Sequence, residues 1–215
     1  MKSAHINNNH WNTLVNIRYH MYEYLLVFSC DKVTEALIHN VKRYFEDNYG
    51  CHYAANLIPH LTLFKCTIHE NKVDRIIQGF SKVAKHASPL QIDLTQFNKY
   101  EHGTFYVDLA SKSSDHVLDL VRKLRNEVGT HVKQWAPAEY IFSEDPHFTV
   151  ARNMTASQIE KAVMDWLYRE FQASFQATEM KLLRRSLIHG AKYETVATFP
   201  LLGLPDGQYM QGSLF

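Results

Sequence analysis

Tyr22 to Phe28 (YEYLLVF) is an unbroken aromatic and aliphatic run and predicts a buried strand. Asp31 then stands at a helix N-cap position. Val33, Leu37, Val41 and Phe45 follow at i+4 spacing, which predicts a helix with that stripe inward and Gly50 at its end. A strand follows over 58–68, introduced by Pro59, and then a helix over 71–86 carrying Val73, Ile76, Ile77, Phe80 and Val83. Strands over 90–97 and 104–110, joined through Gly103, read as an antiparallel hairpin.

The plan then begins again. A helix over 115–128 presents Val117, Val121, Leu124 and Val128, and an irregular stretch with Trp135 and Pro137 leads to a strand over 147–152 behind Pro146. Thr155 and Gln158 have capping-box spacing and open a helix with Ile159, Val163, Leu167 and Phe171 inward. Strands over 175–187 and 193–199 flank a His189-Gly190 turn, and Pro205-Asp206-Gly207 marks a turn before an apolar C-terminus that can pack back. Twice, therefore, a Pro-introduced strand is followed by a helix and two strands. The expected class is α+β: two mainly antiparallel sheets backed by helices. Residues 1–20 are polar and Asn-rich and read as a loosely packed arm, 21–201 as a single bilobal domain with no linker between its halves, and 202–215 as a tail.

Composition narrows the class. In 215 residues, 46% hydrophobic and 21% charged is ordinary globular usage, so a mainly disordered chain or a disulfide-dense miniprotein is excluded. A net charge of +1 gives no global pull toward duplex nucleic acid or an anionic membrane. No apolar run reaches the ~20 residues of a membrane span, and the N-terminus lacks the layout of a secretory signal. Cys30, Cys51 and Cys66 are odd in number and lack CxxC spacing, which fits free thiols in a reducing compartment. The expectation is a cytoplasmic monomer with no membrane partner.

Thirteen histidines are present, and two of them are placed alike. Pro59-His60-Leu61-Thr62-Leu63 and Pro146-His147-Phe148-Thr149-Val150 repeat one pattern 87 residues apart. On a strand, residues two apart share a face. Each copy thus offers an imidazole and a hydroxyl on one side and buries two apolar residues on the other. One His-x-Thr alone arises readily by chance in a His-rich chain; two with the same flanking proline and alternation do not. Two opposed imidazoles suit phosphodiester chemistry, one taking a proton from the attacking hydroxyl or water while the other gives one to the leaving oxygen. The hydroxyls of Thr62 and Thr149 can donate to non-bridging phosphate oxygens. Nothing in this scheme calls for a metal, and the other histidines show neither HExxH spacing nor a supporting cysteine pair. The absence of GxxxxGK[ST] leaves an ATP-driven reaction without support.

These paired motifs resemble those of the 2H phosphoesterase superfamily, and most closely its bacterial 2′-5′ RNA ligase-like (LigT-like) branch. The run Pro146-His-Phe-Thr-Val-Ala-Arg152 is especially similar, as is the spacing of Leu183, Ser186, Gly190 and Tyr193. The resemblance covers about 22–201. It implies a bilobal pseudo-twofold fold with both motifs in a central cleft, His60, His147, Thr62 and Thr149 as catalytic residues, and no cofactor. It also implies metal-independent cleavage of 2′,3′-cyclic or 2′-5′ phosphodiesters, with RNA ends, oligonucleotides or cyclic nucleotides as substrates. A departure falls on the first strand, where relatives often place an arginine and this chain has Tyr22 and Tyr24. A nucleotide-sensing module without turnover and a true 2′-5′ RNA ligase are the alternatives, and which histidine is acid and which base stays open.

Further candidates are weaker. Strict alternation puts Phe64 on the His60 face, where it would stack on a base for ~1–3 kcal/mol or else be a core phenylalanine. Tyr24 and Tyr106 are similar candidates. Arg152 can bind phosphate, although alternation sets it opposite His147, as a solvated arginine. Lys181, Arg184, Arg185 and Lys192 make the C-terminal strand pair basic, which suits either an RNA backbone or a charged sheet edge.

Overall fold

The computed structural model describes residues 20–136, 139–188 and 190–205. The expected arm (but for its last residue), Pro137, His189 and the 206–215 part of the tail lie outside the described residues.

In chain order the described residues form β1 (Met21–Ser29), α1 (Lys32–Tyr49), α2 (His52–Ala55), β2 (His60–His69), a 3-10 turn (Glu70–Lys72), α3 (Val73–His86), β3 (Leu90–Tyr100), β4 (Thr104–Leu109), α4 (Ser111–Trp135), β5 (Tyr140–Phe142), β6 (His147–Ala151), α5 (Ala156–Trp166), β7 (Glu170–Ala177), β8 (Glu179–Ser186) and β9 (Glu194–Pro200). All pairings are antiparallel, in the order β7-β3-β4-β6-β2-β1-β8-β9, with β5 added beside β2. The two expected sheets are therefore the halves of one continuous path, joined where β6 meets β2 at the single register pair Leu61–Phe148. The β3–β4 hairpin follows α3 in the chain but sits in the β6 half, so the repeat exchanges strands across the midline.

Local signals set the helix ends. Asp31 accepts from the Thr34 amide, Gly50 closes α1 at φ +69°, and Thr155 with Gln158 forms the reciprocal capping box that opens α5. Aromatic contacts bind helices to sheet: buried Phe45 of α1 against Phe105, buried Phe80 of α3 against Phe64 and Phe199, and half-buried Trp166 of α5 against Phe97. Leu202, Gly203 and Leu204 donate backbone hydrogen bonds to Ala84, Ala87 and Lys85 at the end of α3, which holds the first residues beyond β9 against that helix; the apolar C-terminus expected to pack back lies outside the described residues.

Several expectations need correction. The inward stripe of α1 is Thr34, Ile38, Val41, Lys42 and Phe45, while Val33 and Leu37 are exposed. At about 100° per residue, Val33 lies about 120° from Phe45 around the helix and Thr34 only about 20°, so strict i+4 spacing drifts off the buried face. Helix α4 runs on through Trp135 because Val132 continues its stripe. Phe171 belongs to β7, since α5 ends at Trp166. The single strand expected over 175–187 is two, β7 and β8, on opposite sides of the midline.

Candidate active site

Each motif enters its strand through an X-Pro-His unit: Ile58-Pro59-His60 into β2 and Asp145-Pro146-His147 into β6. Proline favours an extended residue before it, and its amide has no N–H. In both copies the carbonyl before proline turns onto the imidazole, His60 Nδ1 lying 2.8 Å from the Ile58 oxygen and His147 Nδ1 2.8 Å from that of Asp145. A carbonyl only accepts, so Nδ1 carries the hydrogen and Nε2 is left to exchange a proton. Leu61 and Phe148 are fully buried, whereas His60, Thr62, His147 and Thr149 are partly exposed on the opposite face. With Leu61 opposite Phe148, the antiparallel register sets His60 across from Thr149 and Thr62 across from His147. Thr62 opens with His147 and Thr149 into a shared cavity of 330 Å³. The structure thus brings the two motifs together.

A second symmetry was hidden from alternation. Val27 pairs with Thr62 and Leu26 with Phe64, so Leu63 is an extra residue in β2; Tyr106 pairs with Thr149 and Phe105 with Ala151, so Val150 is extra in β6. Each motif strand bulges one residue after its threonine, and a bulge inverts the facing of everything beyond it. Phe64 therefore turns into the core against Phe80 and Phe142, fully buried, with no face open to a base. The same inversion brings exposed Arg152 to the cleft side, where its positive charge acts on His60. Tyr24 is fully buried, paired with Cys66 in register and away from the cleft. Tyr106 is buried too, but it packs beneath the His147 ring, their centroids 4.6 Å apart. Of the basic C-terminal residues, Lys181, Arg184 and Arg185 already hold Glu179, Glu194 and Glu23 respectively.

Around the shared motifs the two halves differ in charge. Beside His147, Tyr100 donates its hydroxyl to the Asp145 carboxylate and lies 3.3 Å from His147 Nδ1. Asp108 pairs with His147 in register and accepts from Asn98 at 3.0 Å. Burial pushes the Asp108 carboxyl up; the hydrogen bond from Asn98 opposes this and the charge of Asp145 adds to it. Beside His60 stand Lys42 and Arg152. Burial pushes the His60 imidazole below its usual range, the Ile58 carbonyl pulls it back, and the charges of Lys42, Arg152 and His147 push it further down. Tyr100, Asp108, Asp145 and Lys42 do not stand out in the sequence. Asp145 alone had a signal, its place before the Pro-His pair. Among the described residues no three His, Cys, Asp or Glu side chains gather as a metal-ligand set, and no helix is long and apolar enough to cross a membrane.

Comparisons with known proteins bear on the fold and the family. A Geobacillus stearothermophilus protein named RNA 2′,3′-cyclic phosphodiesterase is 39% identical over 70 residues, which is 31% of this chain and 21% of that relative's length. E. coli LigT, solved in complex with 3′-AMP, superposes with a TM-score of 0.59 at 13% identity, covering 85% of this chain and 98% of LigT. A Thermus thermophilus protein superposes at 0.62 with 16% identity, covering 84% and 98% of the two chains. At such identities the superpositions establish the fold. A family model matches residues 31–187, a span that includes both His-x-Thr strands, and the chain belongs to the 2′-5′ RNA ligase superfamily.

Proposed function

We propose that the protein is a metal-independent phosphodiesterase acting on 2′,3′-cyclic phosphate or 2′-5′ linkages of RNA ends, oligonucleotides or cyclic nucleotides. The observation that carries this reading is the pair of antiparallel strands that places two Nδ1-tethered imidazoles and two threonine hydroxyls on one face, in alternation. With a cyclic phosphate between them, one imidazole takes a proton from water as its oxygen bonds to phosphorus. The other gives a proton to the ribose oxygen as its P–O bond breaks, leaving a phosphomonoester. Thr62 and Thr149 donate to the non-bridging oxygens, whose charge grows in the transition state. The names of the G. stearothermophilus relative and of LigT's bound nucleotide support RNA-like chemistry. Three free thiols fit a reducing, cytoplasmic setting.

The test is a product assay in EDTA with a nucleoside 2′,3′-cyclic phosphate, a 2′-5′ dinucleotide and a 3′-5′ dinucleotide. Turnover of either of the first two supports the reading and names the linkage. Nucleotide binding without product from any of the three would replace it with a sensing module.

A further inference from the structure

Lys42 is a charged residue in an apolar position. It lies on the inward stripe of α1, 3% exposed, and gives a 2.8 Å hydrogen bond to the Leu57 carbonyl. Among the described residues no carboxylate pairs with it; the titratable groups whose charge couples to it are Cys30, His39, His60 and Arg152. A buried ammonium without a counter-ion is costly, so its retention needs a reason. Burial pushes its pKa down to about 8, which leaves it charged at pH 7.

Its place supplies that reason. Leu57 is one residue before Ile58, whose carbonyl tethers His60 Nδ1. Peptide planarity and the restriction that Pro59 puts on Ile58 transmit the orientation of one carbonyl to the next. Lys42 therefore anchors the segment from which the ring is aimed. The groups whose charge acts on His60 are Lys42 from α1, Arg152 beyond β6 and His147 across the cleft, all of them basic. His147 stands instead beside Asp108, in register on β4, and Tyr100, whose hydroxyl is tied to the Asp145 carboxylate. The motifs are duplicated, but their surroundings carry opposite charge.

We propose that Lys42 is a positioning residue for His60: its ammonium pins the Leu57 carbonyl beneath the ring's tether and sets a fixed positive charge beside the imidazole, which commits His60 to accepting the proton. His147, on the carboxylate side, is then the proton donor. This rests on the two-histidine reading above and divides its roles.

The experiment is an NMR pH titration of the histidine ring signals in wild type, Lys42→Met, Lys42→Gln and Lys42→Arg, with His60→Gln for assignment, beside pH profiles of kcat/KM. Removing a positive charge favours the protonated ring. In Lys42→Met the His60 midpoint should rise by roughly half a unit, less than the shift from a directly contacting charge. The acidic limb of kcat/KM should rise with it, and kcat should fall more than KM changes. Lys42→Arg should return both toward wild type. Lys42→Gln keeps a donor for Leu57 without the charge, so its midpoint should stay raised. The Gln–Arg comparison carries the test if the Met variant does not fold. A His60 midpoint that is the same in all folded variants would overturn the proposal. The titration needs no substrate, so wild-type inactivity would sink the functional reading separately. Normal turnover with unmoved midpoints would sink only the role of Lys42.

Discussion

Replacing Glu23 with glutamine keeps the side chain's shape and removes its charge. The Glu23 carboxylate meets Lys65 Nζ at 2.5 Å and Arg185 Nε at 2.7 Å, and it accepts the Tyr193 hydroxyl. Hydrogen bonds to charged groups are worth roughly 1.5–3 kcal/mol each, and a fully buried pair broken on one side costs about 3–5 kcal/mol. Glu23 is 9% exposed at the side chain, but Lys65 and Arg185 are 41% and 40% exposed and can turn to water, which screens the loss. The expected cost is about 2 kcal/mol at pH 7, or about 4–8 °C in Tm for a chain of this length. Burial alone would raise this carboxyl's pKa, but hydrogen bonds from Lys65 and Tyr193 and the charges of Lys65 and Arg185 outweigh it and hold the pKa below the usual 4.5. A depressed carboxyl pKa contributes stability that is fully present above the unfolded value and is lost as pH falls through the folded one. The gap between wild type and Glu23→Gln in urea unfolding should therefore stay constant from pH 7 to about 5 and close as pH drops below the ordinary carboxylate value. A gap under about 0.5 kcal/mol at pH 7, or one undiminished at pH 3, would refute the reasoning.

Two further substitutions probe the scaffold and the site. A methyl on Gly79 would overlap Val128 Cγ1 and crowd Glu127 Cγ at 3.2 Å, where α3 crosses α4. Gly79→Ala should cost about 1–3 kcal/mol, lowering the urea midpoint without changing the slope, and wild-type stability would mean that the helices part freely. Tyr100→Phe removes the hydroxyl shared between the Asp145 carboxylate and the His147 ring. It should lower kcat about tenfold, about 1.4 kcal/mol of barrier, with KM within about twofold; an unchanged kcat would detach Tyr100 from the site.

The sequence carries what local chemistry decides. Asp31, Gly50 and the Thr155–Gln158 box act within one turn of chain, and the two His-x-Thr motifs announce themselves by repetition. What it hides depends on partners distant in the chain. The extra residues at Leu63 and Val150 exist only relative to β1 and β4, so alternation placed Phe64 toward the cleft and Arg152 away from it, each the reverse of the structure. The break at Thr178 between β7 and β8 sends the chain from β3 to β1, on the other side of the midline, which no feature of that continuous run marks. Lys42 meets its acceptor, the Leu57 carbonyl 15 residues on, only in the folded chain. Tyr100 and Asp145 become neighbours only because β3 and the entry to β6 meet at the cleft.

In the proposed reaction His60 and His147 together carry proton transfer at one phosphorus. The direct measurement is kcat in EDTA on whichever of the three test phosphodiesters wild type turns over, for wild type, His60→Ala and His147→Ala, with urea unfolding as a check on the fold. Each substitution should lower kcat by roughly 10²–10⁴-fold while leaving the unfolding curve near that of wild type. Wild-type turnover from either folded variant would contradict the account.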